Sequence, residues 1–350
     1  MKRDKLVQYT VFFLLAGLLA QELEAGRGLF GSKQASTKQD AALGSTKRTS
    51  KRSRKKLKPD IAVAEHAALG DFTEHKIVLQ IQEPDGTVLT RNGELIIRPQ
   101  AKATVLLAHG FKHDKRHSKA LRVLFPHYNT IIFDFRAHGD KAHGQTCSFG
   151  AQEVREVKAA ADFVTSHPSL KNLPLFGYGV SMGAVALIEA QSQFNLFEGI
   201  ILDSPFESME YVVKRGLTKI TYSLFGWDVL KPIRYLLERV MFSPYADWVL
   251  RFLLRNAAGM DTHTTATSLR PVEPIKSIKS ITIPTLVIGC NQDHVTPPEI
   301  VARVYKEALH RSLSELWLVD GKGHVDAFFS HPEQYIKKVN EFITNVLQTL

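Results

Sequence analysis

From His75 to Pro99 the chain reads HKIVLQIQEPDGTVLTRNGELIIRP, with apolar and polar residues alternating on either side of an Asp-Gly pair. That period of two predicts antiparallel strands around a tight turn, at a sheet edge with one face solvated. The apolar runs then lengthen and stop alternating. They are TVLLAHG (Thr104 to Gly110), TIIFDFR (Thr130 to Arg136), LPLFGYG (Leu173 to Gly179), GIILDSP (Gly199 to Pro205), PTLVIGC (Pro284 to Cys290) and ELWLVDG (Glu315 to Gly321). Unbroken runs of Val, Ile and Leu suit parallel strands covered on both faces. Helical patterns fall between or after them, at Gln152 to Ser166, Met182 to Phe194, Pro298 to Leu309 and Glu333 to Leu347. This alternation predicts an α/β fold with a mostly parallel sheet and right-handed crossovers. From about Glu207 to Arg270 the rhythm breaks. Only amphipathic helix patterns appear there, which predicts a helical insertion.

The N-terminus follows other rules. Residues 1–25 hold a short basic start, MKRDK, an apolar segment from Leu6 to Ala20, and then QELEAG. This is the layout of a secretory signal. As a helix the 15-residue segment would reach roughly 22 Å, short of a ~30 Å hydrocarbon core. The expectation is export, to the periplasm or outside the cell, or attachment to a membrane by an uncleaved segment. Residues 26–70 read as a basic, disordered linker, rich in Ser, Thr and Lys, with too few large apolar side chains to offset the entropy of ordering. Its run KRTSKRSRKKLK suits a solvated tether first and contact with an anionic membrane surface next, with a nuclear signal or a nucleic-acid patch as further readings.

The charge of the 350-residue chain, a formal +10, at first suggests a nucleic-acid partner. Residues 1–60 carry 14 Lys/Arg against 5 Asp/Glu, which leaves 31 against 30 for the remainder. The basic character therefore belongs to the tail, and the folded domain is not expected to bind nucleic acid. The two cysteines, Cys147 and Cys290, make no disulfide framework.

In an open parallel sheet, function collects at the carboxyl ends of the strands. His109, Gly110 and Phe111 follow TVLLA, and Ser181 lies at the centre of GVSMG (Gly179 to Gly183). Asp293 follows LVIGCNQ, and His324 follows LWLVDGKG. A serine hydroxyl is a weak nucleophile until an imidazole takes its proton, and that imidazole needs a carboxylate to fix its tautomer. The order Ser181, Asp293, His324 is that of hydrolases whose nucleophile sits on a strand-to-helix elbow. Asp203 and Asp326 stay open as alternative acids. The backbone N–H groups of Met182, at a helix start, and Phe111 are the candidate oxyanion donors. His113 and His117 would share a helix face, but no carboxylate-rich partner motif follows, so no metal is assigned. His109 and His138 read as hydrogen-bonding residues of the loops around the site.

With these motifs in place, residues 71–350 resemble the α/β-hydrolase superfamily, and within it the serine aminopeptidase-like and feruloyl-esterase-like lineage. LLAHGF is similar to its oxyanion loop, FDFRAHGDKAHG to its Asp-x-Arg-Gly-His-Gly stretch, and GVSMGA to its elbow. LDSPFES is similar to the entry to its lid, IPTLVIGCNQDHVTPP to its acid loop, and GKGHVDAF to its histidine loop. Ala137 stands where glycine is usual, and Lys141 near the usual serine. The resemblance implies an α/β-hydrolase domain with a helical lid inserted at about 207–270, and no cofactor. It also implies a strand order that sets the strands leading to Cys147 and Cys290 about four positions apart. At ~4.8 Å per strand that is roughly 19 Å, whereas a disulfide needs Cα atoms within about 7 Å. The long loop carrying Cys147 leaves the pairing open.

The expected activity is cleavage of an ester, thioester or amide through an acyl-enzyme, on a small-molecule or acyl substrate. A peptidase, an acyltransferase and a non-catalytic binding or scaffold protein of the same fold remain alternatives. The insertion is rich in large apolar residues such as Leu224, Phe225, Trp227, Ile233, Trp248 and Phe252. Helices that bury against one another account for this, and so does an apolar acyl-binding wall.

Overall fold

The computed structural model describes residues 71–141, 145–218, 272–309 and 312–350, with 223–224, 227–228 and 266–267. The alternating segment forms β1 (Thr73–Gln82) and β2 (Val88–Ile97), paired antiparallel along their whole length. The Asp-Gly pair makes the turn, with Gly86 at φ +85°. The unbroken apolar runs form β3 (Thr104–Ala108) and β4 (Asn129–Phe133), every residue buried. Between them lies α1 (Lys115–Ala120), capped by Asp114. Six residues are too few for a helical period to show, so the pattern did not predict it.

The chain continues through the two-residue strand β5 (Thr146–Cys147), α2 (Val154–Ser166), β6 (Leu175–Val180), α3 (Met182–Phe194) and β7 (Gly199–Asp203). The insertion begins with α4 (Met209–Thr218) and includes the short strands β8 (Ser223–Leu224), β9 (Trp227–Asp228) and β10 (Ala266–Thr267). The last part holds α5 (Pro274–Ser277), β11 (Thr285–Cys290), α6 (Pro298–Glu307), β12 (Glu315–Val319), α7 (Ala327–Ser330) and α8 (Pro332–Leu347).

Eight strands form one sheet in the order β1-β2-β4-β3-β6-β7-β11-β12. Pairing is antiparallel at β1–β2 and β2–β4 and parallel from β4 onward. Apolar side chains from alternate strand positions fill both faces. On one side Leu106, Ile131 and Val287 meet Val157, Leu187 and Val301 of α2, α3 and α6. On the other, Leu107, Ile132 and Ile288 meet Phe125 and the Tyr335, Val339 and Phe342 face of α8. This two-sided burial is why the central strands carry no alternation. The register sets Val180 opposite Asp203, and Asp203 opposite Ile288, so three strands end side by side.

The insertion differs from the all-helical expectation. β8 pairs antiparallel with β9, and β10 runs parallel to β5, which ties the returning chain to the loop at Cys147. Residues 219–222, 225–226, 229–265 and 268–271, with most of the proposed apolar wall, lie outside the described residues, as do the apolar segment and the basic linker of residues 1–70. Among the described residues no helix is long and apolar enough to cross a membrane.

Candidate active site

Ser181 stands between β6 and α3 at φ 52°, ψ −112°, a conformation that non-glycine residues rarely adopt. The neighbouring glycines explain why the turn closes. A Cβ on Gly183 would lie 2.1 Å from the Ala108 carbonyl oxygen, and one on Gly179 would lie 2.6 Å from the Gly183 oxygen. Both obstacles are backbone, so no rotamer change relieves them. The Ser181 N–H donates to the Asp203 carbonyl at 2.8 Å, pinning the elbow to the next strand.

His324 reaches this hydroxyl from the loop after β12, with Nε2 2.8 Å from Ser181 Oγ. Its Nδ1 lies 2.7 Å from Asp293 Oδ2. A carboxylate accepts only, so Nδ1 carries the proton and bare Nε2 accepts from Ser181 Oγ–H. Asp293 is 2 % exposed. Its Oδ1 accepts from the Val295 and Thr296 N–H groups at 2.7 and 2.9 Å, and its Oδ2 from Thr296 Oγ–H at 2.8 Å. Burial pushes the Asp293 carboxyl up, but the bond and charge of His324 and the two amides together hold it below its ordinary value. Asp293 is thus an ionised, oriented partner for His324.

The other two acids face elsewhere. Asp203 accepts from Ser204 Oγ–H at 2.8 Å and from the Tyr335 hydroxyl at 2.7 Å, and Tyr335 in turn meets the Tyr178 hydroxyl at 2.9 Å. Burial raises its pKa. Asp326 accepts from Lys322 N–H in its own loop and from Ser330 Oγ–H at the end of α7. Of the three carboxylates considered from sequence, Asp293 is the one in contact with His324.

The Phe111 and Met182 amides have no acceptor among the described residues. Met182 N–H sits at the N-terminus of the 13-residue α3, where the helix dipole favours negative charge. A Cβ on Gly110 would be 3.7 Å from Ser181 Cβ, which places the loop before Phe111 against the elbow. Two amide dipoles without an acceptor, on segments adjoining a serine–imidazole–carboxylate relay, are what an acyl-transfer site requires. Met182 also receives the Cys147 Sγ–H on its sulfur at 3.4 Å, and the Phe111 ring packs on Phe149 with centroids 4.6 Å apart. Cys147 and Cys290 are both free thiols, buried apart.

Sequence reasoning did not single out Thr296, which supplies two of the four donors to Asp293. An Asp with Thr three positions on is a local hydrogen-bonding pattern that points to such a role. Glu153 was also missed; buried, it accepts from the Ser148 N–H and hydroxyl and from the Gly150 N–H. His113 and His117 stack in parallel with centroids 4.5 Å apart, an arrangement of ring faces rather than of converging nitrogens.

No curated protein matches this chain in sequence. Solved structures resemble it in fold. The Pyrococcus furiosus esterase Pf2001 is 21% identical, with 80% of this chain and 97% of that one covered and a TM-score of 0.58. A thermophilic esterase from Thermogutta terrifontis is 16% identical, covers 78% of this chain and 99% of its own, and has a TM-score of 0.54. A peroxisomal alpha-beta-hydrolase from Saccharomyces cerevisiae is 14% identical, covers 80% and 90%, and has a TM-score of 0.53. The pattern defining one family spans residues 105–338, from β3 through the elbow, the acid loop and His324 into α8. On that match, with the sheet order and elbow described above, the chain belongs to the alpha/beta hydrolase family.

Proposed function

We propose that this protein is a serine hydrolase cleaving an ester, thioester or amide bond through an acyl-enzyme, with esterase- or lipase-like preference for an apolar acyl group. The observation that carries this reading is the continuous relay of Ser181 Oγ, His324 and Asp293. Ser181 Oγ attacks the substrate carbonyl carbon while its proton passes to His324 Nε2. The carbonyl oxygen becomes an oxyanion facing the Phe111 and Met182 N–H groups. His324 then gives its proton to the leaving group as the C–O, C–S or C–N bond breaks. Water repeats the sequence, attacking the acyl-Ser181 carbonyl with its proton taken by His324, and releases the acid. Asp293 stays ionised and supports the imidazolium throughout. The esterases among the structural neighbours accord with this chemistry.

The test is Ser181→Ala. It is expected to abolish hydrolysis of a p-nitrophenyl ester and labelling by a fluorophosphonate while leaving the thermal midpoint close to wild type. Undiminished labelling in the variant would sink the assignment, and a wild type that never labels would favour the binding-protein alternative. The acyl preference rests on the apolar insertion, together with Phe206, Met209 and Val272 packed beside Val185 of α3. Each buried methylene contributes up to ~0.8 kcal/mol, so specificity constants should rise roughly three- to fourfold per carbon over part of the range from acetyl to octanoyl esters. A flat or falling series would replace the apolar wall with a small polar acyl group or a peptide. For location, we propose export or membrane attachment through residues 1–25. Full-length protein in the cytosol with an intact N-terminus would overturn that.

A further inference from the structure

The Phe111 amide serves Ser181 only if the peptides on both sides of the Phe111 Cα keep their orientation. Gly110 to His113 form a turn closed by His113 N–H to the Gly110 carbonyl at 3.2 Å. Lys112, at the third position, has φ +66°, and Phe111 is not among the positive-φ residues. A positive φ at the third position alone marks a type II turn, which favours glycine or asparagine there. Lysine has no such preference. The type I alternative differs mainly by rotation of the central peptide, from Phe111 C=O to Lys112 N–H.

That central peptide is held from another loop. Lys112 N–H donates to His138 Nε2 at 3.2 Å. The same ring's Nδ1 lies 2.8 Å from the Arg136 carbonyl, so Nδ1 carries the proton and Nε2 is bare. A second imidazole holds the preceding peptide. His109 Nε2 accepts Phe135 N–H at 3.0 Å, and its Nδ1–H donates to the Gly110 carbonyl at 2.8 Å. A trans peptide is planar, with its N–H opposite its C=O. Two donors on the Gly110 oxygen, from His109 and His113, therefore aim the Phe111 N–H the other way. The following amides are all engaged: Lys112 on His138, His113 on Gly110, Asp114 on His117 Nδ1 and Lys115 on Asp134 Oδ1. The two rings meet edge to face with centroids 5.2 Å apart, both buried.

We propose that His138, together with His109, is a positioning residue for the oxyanion hole: accepting Lys112 N–H selects the type II turn and presents Phe111 N–H to the reacting carbonyl. The proposal rests on the serine-hydrolase reading above and names what keeps its oxyanion donor in place. Neither ring touches the reacting atoms.

The experiment compares His138→Leu, which keeps bulk but no acceptor, with His138→Gln, whose Oε1 can stand where Nε2 stood. In a crystal structure of His138→Leu the turn at 110–113 is expected to relax to type I, with Lys112 at negative φ. The kcat on a p-nitrophenyl ester should fall by about tenfold to a hundredfold, short of the loss from deleting an oxyanion donor, with little change in KM. His138→Gln should recover most of that loss. A retained type II turn in His138→Leu, a wild-type kcat in that variant, or equal losses in both variants would overturn the proposal. The crystallographic result does not depend on ester turnover. If the wild type hydrolyses no ester and Ser181 takes no label, the serine-hydrolase reading fails, and the turn still decides the role of His138.

Discussion

At the carboxyl ends of the sheet strands and in the loops that leave them, Lys112, Ala137, Ser181, Ser204 and Val325 all hold positive φ. At the amino ends the comparable residue is Asn195, closing α3 at φ 51°. Asparagine tolerates the left-handed region and often ends helices, whereas β-branched Val325 there is a genuine outlier. Each such non-glycine residue costs roughly 1–2 kcal/mol. The strain therefore gathers where His324, Ser181 and the loop of Phe111 and Lys112 lie, and it is held in place by neighbours. Ser181 N–H donates to the Asp203 carbonyl, Ser204 N–H to the Ile288 carbonyl at 2.9 Å, and Lys112 N–H to His138. The amino ends are stitched by ordinary backbone bonds between strand entries, such as Thr104 N–H to Pro174 and Asn129 N–H to Ala103. One end keeps the sheet together; the other uses that rigidity to hold side chains and amides in conformations they would otherwise leave.

The sharpest test of this contrast replaces a carboxylate at each end. Asp293→Asn is expected to lower kcat by about 10⁴, because the amide no longer fixes the His324 tautomer or supports its charge. Glu315→Gln, at the start of β12, breaks an ion pair with Lys338 and should leave kcat unchanged. The Asp293 pair also predicts a pH signature. Its folded pKa is depressed, so its stabilisation is complete above the ordinary aspartate value of about 4 and is lost as pH falls through the lower folded value. The gap in thermal midpoint between wild type and Asp293→Asn should therefore be full above about pH 4 and narrow as pH falls below it. A gap that widens on acidification would contradict the assigned environment.

A methyl group probes the same difference through sterics. Gly183→Ala drives its Cβ into the Ala108 backbone and should lower the thermal midpoint by at least about 5 °C, with a large loss of ester turnover. Gly199→Ala, at the amino end of β7, meets the Phe176 ring edge at 3.0 Å, a side chain that can shift a little. Its midpoint should fall by less than half as much. Equal losses would mean that the elbow is no more tightly built than a strand entry. The smallest effect is expected at Ala137, buried with φ 57°. In Ala137→Gly, relief of the left-handed strain is offset by a lost methyl contact and a more flexible unfolded chain, so the midpoint should stay within about 2 °C of wild type. A larger rise would show that Ala137 stores more strain than Asn195 does.

Much of this molecule is legible in its sequence. Period-two alternation located β1 and β2, and unbroken apolar runs located the parallel strands, because burial on one face or two leaves its mark residue by residue. GVSMG announced the elbow, since a turn this tight leaves no room for Cβ atoms at Gly179 and Gly183. The predicted run at Thr130 to Arg136 outlasted β4, which ends at Phe133, because Phe135 is buried from a loop and looks like strand in a linear pattern. What the line of residues left open was every choice between equivalent groups. Asp203, Asp293 and Asp326 all stood at strand ends or beside His324, and only the packed loops brought Asp293 to the imidazole, 31 positions away. The turn at Lys112 depended likewise on His138, 26 positions along, and the β5–β10 ladder on a return from the insertion. Hydrophobic burial is summed over many residues and so survives as a pattern, whereas a single hydrogen bond between loops is set by angles and tenths of an ångström that exist only once the sheet has aligned the strand ends.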